Sequence, residues 1–102
     1  MKTENMARIE GFITDEPVLE KTESKKSKLT FTIEIKHVVK PGVKERVSFV
    51  DIEVWGKLAE ENSTLQKFNR VRVEGNIVQD LWKERKEVLS RIVIIASAIT
   101  KL

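Results

Sequence analysis

Nine residues, Val47 to Trp55, constrain this chain more than any other stretch, because they alternate without a break. Successive side chains of a strand take opposite faces. Val50, Ile52 and Val54 therefore form one aliphatic face, and Phe49, Asp51, Glu53 and Trp55 form the other. The first face belongs in a core. The second mixes two carboxylates with two aromatics, and carboxylates are not buried unpaired. It is expected to be wet, with Phe49 and Trp55 exposed on it. Gly56 ends the strand, and Lys57-Leu58-Ala59-Glu60 opens a helix.

The rest of the chain arranges itself around that strand. At 102 residues it is expected to be one domain, 1–102. Val and Ile number 22 against 11 for Leu and Ala, a ratio that favours strands. Met6 to Ile13 reads as a first strand, with Gly11 as a bulge or a point of close approach. Residues 14–17 carry turn chemistry, and Val18 to Thr22 continues that strand or pairs with it. Residues 23–28 form a polar hairpin tip. Leu29, Phe31, Ile33 and Ile35 alternate with polar residues as a half-buried second strand. A loop runs from about Lys40 to Arg46.

After the central strand, Leu58, Asn62, Leu65 and Phe68 fall near one face of a helix spanning Lys57 to about Phe68. Phe31 and Phe68 share faces with aliphatics and are expected in the core. Val71 and Val73 point inward from the next strand. The same parity puts Leu81 inward and Trp82 outward, unless a bulge at Gly75 reverses it. Val88 to about Thr100 is apolar enough to be a largely buried last strand. The order predicts an all-β, five-stranded OB-fold barrel with one α-helix between strands 3 and 4. That architecture commonly presents its second and third strands and its hairpin loops to oligonucleotides.

Catalysis has little to work with. There is one histidine, His37, which reads as an exposed strand-end residue, and there is no cysteine. No catalytic residue, cofactor or metal is assigned. Asp51 and Glu53 share a face, but no third ligand accompanies them. The N-terminus lacks an apolar signal core and no apolar run reaches membrane-spanning length. A cytoplasmic binding protein, not an enzyme, is the expectation. The net charge of +3 is unevenly placed: residues 1–20 carry −3, residues 21–46 carry +5 and residues 47–102 carry +1.

Single-stranded nucleic acid is bound by rings that stack on bases and by cations that follow the backbone. Phe49, Trp55 and Trp82 supply rings. Lys25, Lys26 and Lys28 in the hairpin, and Lys36, Lys40, Lys44 and Arg46 in and beside the loop, supply charge. Phe49 and Trp55 lie six residues apart on one face, roughly 20 Å in a strand, which suits separate bases on each ring. Exposed rings also serve protein interfaces, so an OB adaptor that binds protein is an alternative.

The stretch Val54-Trp55-Gly56-Lys57-Leu58-Ala59-Glu60 resembles the strand-to-helix junction of bacterial single-stranded-DNA-binding proteins. Around it, Asn5 and Gly11, Pro17, Phe31-Thr32-Ile33, Val71 to Gly75 and Trp82 follow that family's order and spacing. The resemblance implies a cytoplasmic OB-fold homotetramer that protects single-stranded DNA in replication, recombination and repair. It implies base stacking on Phe49, Trp55 and Trp82, and phosphate contacts from Lys57 and Lys67. Three departures stand out. His37, Val38 and Val39 replace an aromatic expected at the end of the second strand. Asp51 and Asp80 lie where some members are basic. The sequence stops at Leu102 without the acidic tip that recruits partners, so tail-mediated replication partners are not expected. A dimer resembling primosomal replication protein N, active in replication restart, is the second alternative.

Overall fold

Each alternating stretch becomes a strand, and the strands close on themselves. A computed structural model describes residues 3–37 and 40–102. Val38 and Val39, named above as a departure, lie outside the described residues. In chain order the elements are β1 (Ala7–Ile13), β2 (Val18–Lys21), β3 (Ser27–His37), β4 (Arg46–Trp55), α1 (Gly56–Glu61), β5 (Arg70–Glu84) and β6 (Glu87–Lys101). The strands pair in the order β1-β5-β6-β4-β3, and β1 returns to pair with β3, closing a five-stranded barrel. Among the described residues only β4 and β6 run parallel. This is the OB-fold ordering, with one addition. Val18–Lys21 forms a strand of its own along β3, not a continuation of β1, so α1 falls after the fourth strand of the chain.

The barrel interior takes one face of every barrel strand. Ile13, Leu29, Phe31, Ile33, Ile52, Val54, Val71, Val73 and Ile94 are buried there, with Ala59 and Leu65 from the α1 side. Each aliphatic side chain of this kind stabilises the fold by roughly 1.5–3 kcal/mol relative to exposure. Closure needs β1 to change partners. It pairs with β5 from Ala7 to Phe12 and with β3 at Phe12 and Ile13. Gly11 sits at that crossing, where an added Cβ would run into the Glu34 carbonyl oxygen and the Ile33 side chain. It is a point of close approach, not a bulge. Gly75 has the same role opposite Ile95, whose carbonyl oxygen would meet a Cβ. The irregularity there belongs to β6: Glu74 faces Ala98 and Gly75 faces Ala96, leaving Ser97 as the extra residue. The parity of β5 is therefore unbroken.

Three expectations are corrected, and a fourth holds in parity but not in burial. The helix is six residues, Gly56–Glu61, not a span to Phe68. Asn62 turns its side-chain amide back onto the Leu58 carbonyl at 2.9 Å. Successive turns then carry the chain to β5. Side chains that bond nearby backbone compete with helix continuation. Phe68, expected in the core, has φ 72° and is 72% exposed. Leu81 has the inward parity expected of it, but no core lies beneath it and it is 65% exposed. β6 is buried only at Val93 and Ile94, not along its length. The last two share a cause. β4 pairs with β6 only from Asp51 to Glu53, so the β5–β6 hairpin outruns the barrel and forms an arm with no core beneath it.

On the outer side of β1 and β5, Glu10 accepts from Arg72 Nε at 2.6 Å and lies 3.5 Å from Arg70. The Arg72 hydrogen bond holds the Glu10 carboxyl below its usual range, helped by the charges of Arg72, Arg70 and Arg8. A lowered carboxyl pKa adds stability above the unfolded value, and that stability is lost as pH falls through the folded value. Glu10→Gln is therefore expected to narrow the gap in melting temperature between neutral pH and pH 3. An unchanged gap would remove Glu10 from the acid response. Gly75→Ala forces a methyl against the Ile95 carbonyl and is expected to cost on the order of 1–3 kcal/mol in denaturant unfolding.

Candidate nucleic-acid interface

Barrel closure sorts the side chains of β4 into inside and outside. Val50, Ile52 and Val54 face in. Phe49, Asp51, Glu53 and Trp55 face out, together with Lys28, Thr30, Thr32, Glu34 and Lys36 of β3, which pair with Trp55, Glu53, Asp51, Phe49 and Val47. The parallel pairing of Asp51 with Val93 and Glu53 with Ile95 puts Arg91 and Leu89 of β6 on this outer face too. The antiparallel register of β5 then adds Asp80, opposite Arg91, and Trp82, opposite Leu89. Phe49, Trp55 and Trp82 thus share one outer surface spanning β4, β6 and β5. They are 64%, 37% and 43% exposed.

The face is not uniformly wet, as the alternation of β4 had suggested. Glu53 is only 5% exposed. Its carboxylate is compensated on both sides, by Lys28 Nζ at 3.4 Å and Arg91 Nη2 at 3.9 Å. Arg91 Nε also reaches Asp80 at 3.3 Å. Lys28 Nζ lies 5.2 Å from the centroid of the Trp55 ring, within cation–π range. Asp51 accepts a hydrogen bond from the Thr32 hydroxyl at 2.8 Å. Beside these residues an open depression of about 240 Å³ is lined by Asp15, Glu16, Thr30, Thr32, Asp51, Glu53 and Arg91, over Val18, Phe31, Ile52 and Val93. The middle of the ring face is therefore acidic.

The cations lie mainly at its ends. Lys36 is exposed on β3 opposite Val47, and Arg46 begins β4 opposite His37. Lys40 and Lys44 are exposed in the connecting loop. All four stand at the Phe49 end. His37 is an exposed strand-end residue within 2.7 Å of the Ser48 hydroxyl. Lys57 is exposed in the first turn of α1, two residues past Trp55. Lys67 belongs to the α1–β5 connection, not to the ring face. Its N–H donates to Glu16 and its ammonium lies 5.0 Å from the Phe68 centroid. Arg91 was not among the residues expected from the sequence. A single cation inside an otherwise apolar strand was the available signal. Among the described residues, no group of three or more acidic or histidine side chains could hold a metal.

A five-stranded OB barrel with three exposed rings on one face defines an oligonucleotide-binding type of module. The chain matches the model of the single-strand binding protein family over residues 4–102, and it belongs to that family. Its fold is similar to that of a solved structure described as the Plasmodium falciparum SSB complex with ssDNA. The TM-score is 0.90 at 19% sequence identity, covering 100% of this chain and 97% of that one.

A buried carboxylate that loses one partner is strongly destabilising, whereas replacing both members by apolar residues is often neutral. Lys28→Met is therefore expected to cost on the order of 1–3 kcal/mol in thermal or denaturant unfolding. The double change Lys28→Met with Glu53→Leu should recover most of that loss. Equal losses from the single and double variants would show that the ion pair does not hold this part of the face.

Proposed function

We propose that this protein binds single-stranded DNA without sequence preference, on the outer face of β4, β6 and β5. The observation that carries the reading is the placement of Phe49, Trp55 and Trp82 on one exposed surface. Each ring offers a platform for one base, and stacking is worth roughly 1–3 kcal/mol per base whatever its identity. Charge orders the path. Phosphates are repelled by Asp51, Asp15 and Glu16, so bases, not backbone, face that side of the depression. The backbone is drawn to Lys36, Lys40, Lys44 and Arg46 at one end and to Lys57 at the other, with Lys67 a contact beyond the barrel end. Family membership supports a role in protecting strands exposed during replication, recombination and repair, and a cytoplasmic setting goes with that work.

Self-association, as a tetramer more than a dimer, belongs to the same reading. Two features support it. The side of the β5–β6 arm facing away from Trp82 exposes Ile77, Leu81, Val88 and Ile92. Contiguous exposed apolar surface of this kind marks contact sites. β1 also pairs with β3 only at its last two residues, leaving most of one edge open. Ile92→Asp should lower the mass of the protein at micromolar concentration, measured by light scattering. A monomeric wild type would overturn the proposal.

The binding reading is tested on folded variants. Trp55→Ala should weaken oligothymidylate binding by roughly 1–3 kcal/mol with a small change in melting temperature, since the ring is partly exposed. Lys44→Ala should mainly flatten the dependence of affinity on salt, by about 0.7 in the log–log slope. A folded Trp55→Ala protein that binds like wild type would remove the ring from the site.

A further inference from the structure

The three rings stand on two strands that are not neighbours. Phe49 and Trp55 are on β4 and Trp82 is on β5, with β6 between them. A DNA strand stacked on rings of both must cross β6. The outward residues of β6 on that stretch are Glu87, Leu89, Arg91, Val93 and Ile95, and Arg91 is its one cation there. Resting on the ring-face reading above, we propose that Arg91 is a phosphate-binding residue for the stretch of strand passing between the β4 rings and Trp82. In the free protein, Asp80 occupies the place that the phosphate takes.

The contacts of Arg91 are unequal. Nη2 lies 3.9 Å from Glu53, whose side chain is 7% exposed, and Nε lies 3.3 Å from Asp80, whose side chain is 40% exposed. Glu53 is enclosed on the face by its neighbours and bridges Lys28 and Arg91, so moving it into water is not open to it. Asp80 is on the free arm and can swing away. The contact with Asp80 is a hydrogen bond from Nε, whereas the 3.9 Å approach to Glu53 is too long for one. Arginine presents a planar fork that grips phosphate through two parallel hydrogen bonds. Glu53 thus acts as a positioning residue that keeps the guanidinium on the face, while Asp80 neutralises it until a stronger anion arrives. With Asp80 paired, Lys28, Glu53, Arg91 and Asp80 together are neutral. With Asp80 displaced, the remaining three carry +1 beside the path. A carboxylate that must give way weakens binding without removing it, and it favours a backbone with closely spaced charges over an isolated anion.

The test is a double-mutant cycle on the full chain, titrated with oligothymidylate at several salt concentrations, with melting temperatures on each sample. Arg91→Gln is expected to weaken binding about tenfold and to flatten the log–log salt slope by about 0.7. Asp80→Asn is expected to tighten binding several-fold, and that gain should vanish in the Arg91→Gln background, because Asp80 acts through Arg91. If Asp80 acts only as a general negative charge, the gain persists undiminished in the double variant, and the proposal is overturned. Should Arg91→Gln melt early, Arg91→Lys keeps a charge against Glu53. It is expected to weaken binding while preserving the slope, and wild-type affinity for Arg91→Lys would count against the fork. Trp55→Ala in the same series separates the two readings. If it weakens binding while Arg91→Gln binds like wild type, the inference about Arg91 fails and the ring face stands. If both bind like wild type, the ring-face reading fails and this inference with it.

Discussion

The structure depends on β1 serving two partners. A five-stranded sheet of this length would otherwise have open edges at β1 and β3. By leaving β5 at Phe12 and joining β3 at Ile33 and Glu34, β1 closes the barrel. The crossing brings backbones closer than any side chain allows, which is why Gly11 stands there. Closure gives every barrel strand an inside and an outside. Inside, Ile13, Ile33, Ile52, Val54, Val71 and Val73 are fully enclosed, and their burial is the main favourable term for the fold. Outside, the same alternation leaves β4 with its rings and carboxylates.

Closure also decides what is left uncovered. β6 passes from the barrel wall into the arm beyond the short parallel pairing with β4. Along the barrel it has a core beneath it. Along the arm it has only β5 beside it, so aliphatic residues such as Ile92 and Val88 stay exposed. An arm of this kind extends the ring-bearing surface past the barrel while offering an apolar reverse side.

Charges on the ring face follow a consistent logic. Glu53 is nearly buried, and a buried carboxylate requires compensation. Lys28 and Arg91 provide it, and both are thereby held on the ring face instead of ranging through solvent. Lys28 is held against Trp55, and Arg91 is held on the strand between the two ring-bearing strands. The structural requirement of one side chain therefore sets the positions of two cations on a surface where an anionic polymer is expected.

The sequence by itself determined the barrel and its rings. Strict alternation in β3, β4 and the first half of β5 separated core from surface, because a strand has a period of two whatever its surroundings. That was enough to place Val71 and Val73 inside and Phe49 and Trp55 outside. It was not enough for Phe68, Leu81 or the last strand. Their hydrophobicity signals burial, but burial requires something to lie against them, and the arm and the α1–β5 turns have nothing there. Helix spacing likewise carried past Glu61 on paper, while Asn62 ended the helix through a contact with its own backbone. The pairing of Glu53 with Arg91 joins residues 38 positions apart. It exists only because β4 and β6 run side by side, a long-range choice made by barrel closure and invisible to any local pattern. Tertiary structure alone decided that Glu53 is enclosed, that Arg91 stands between the rings and that Trp82 shares their face.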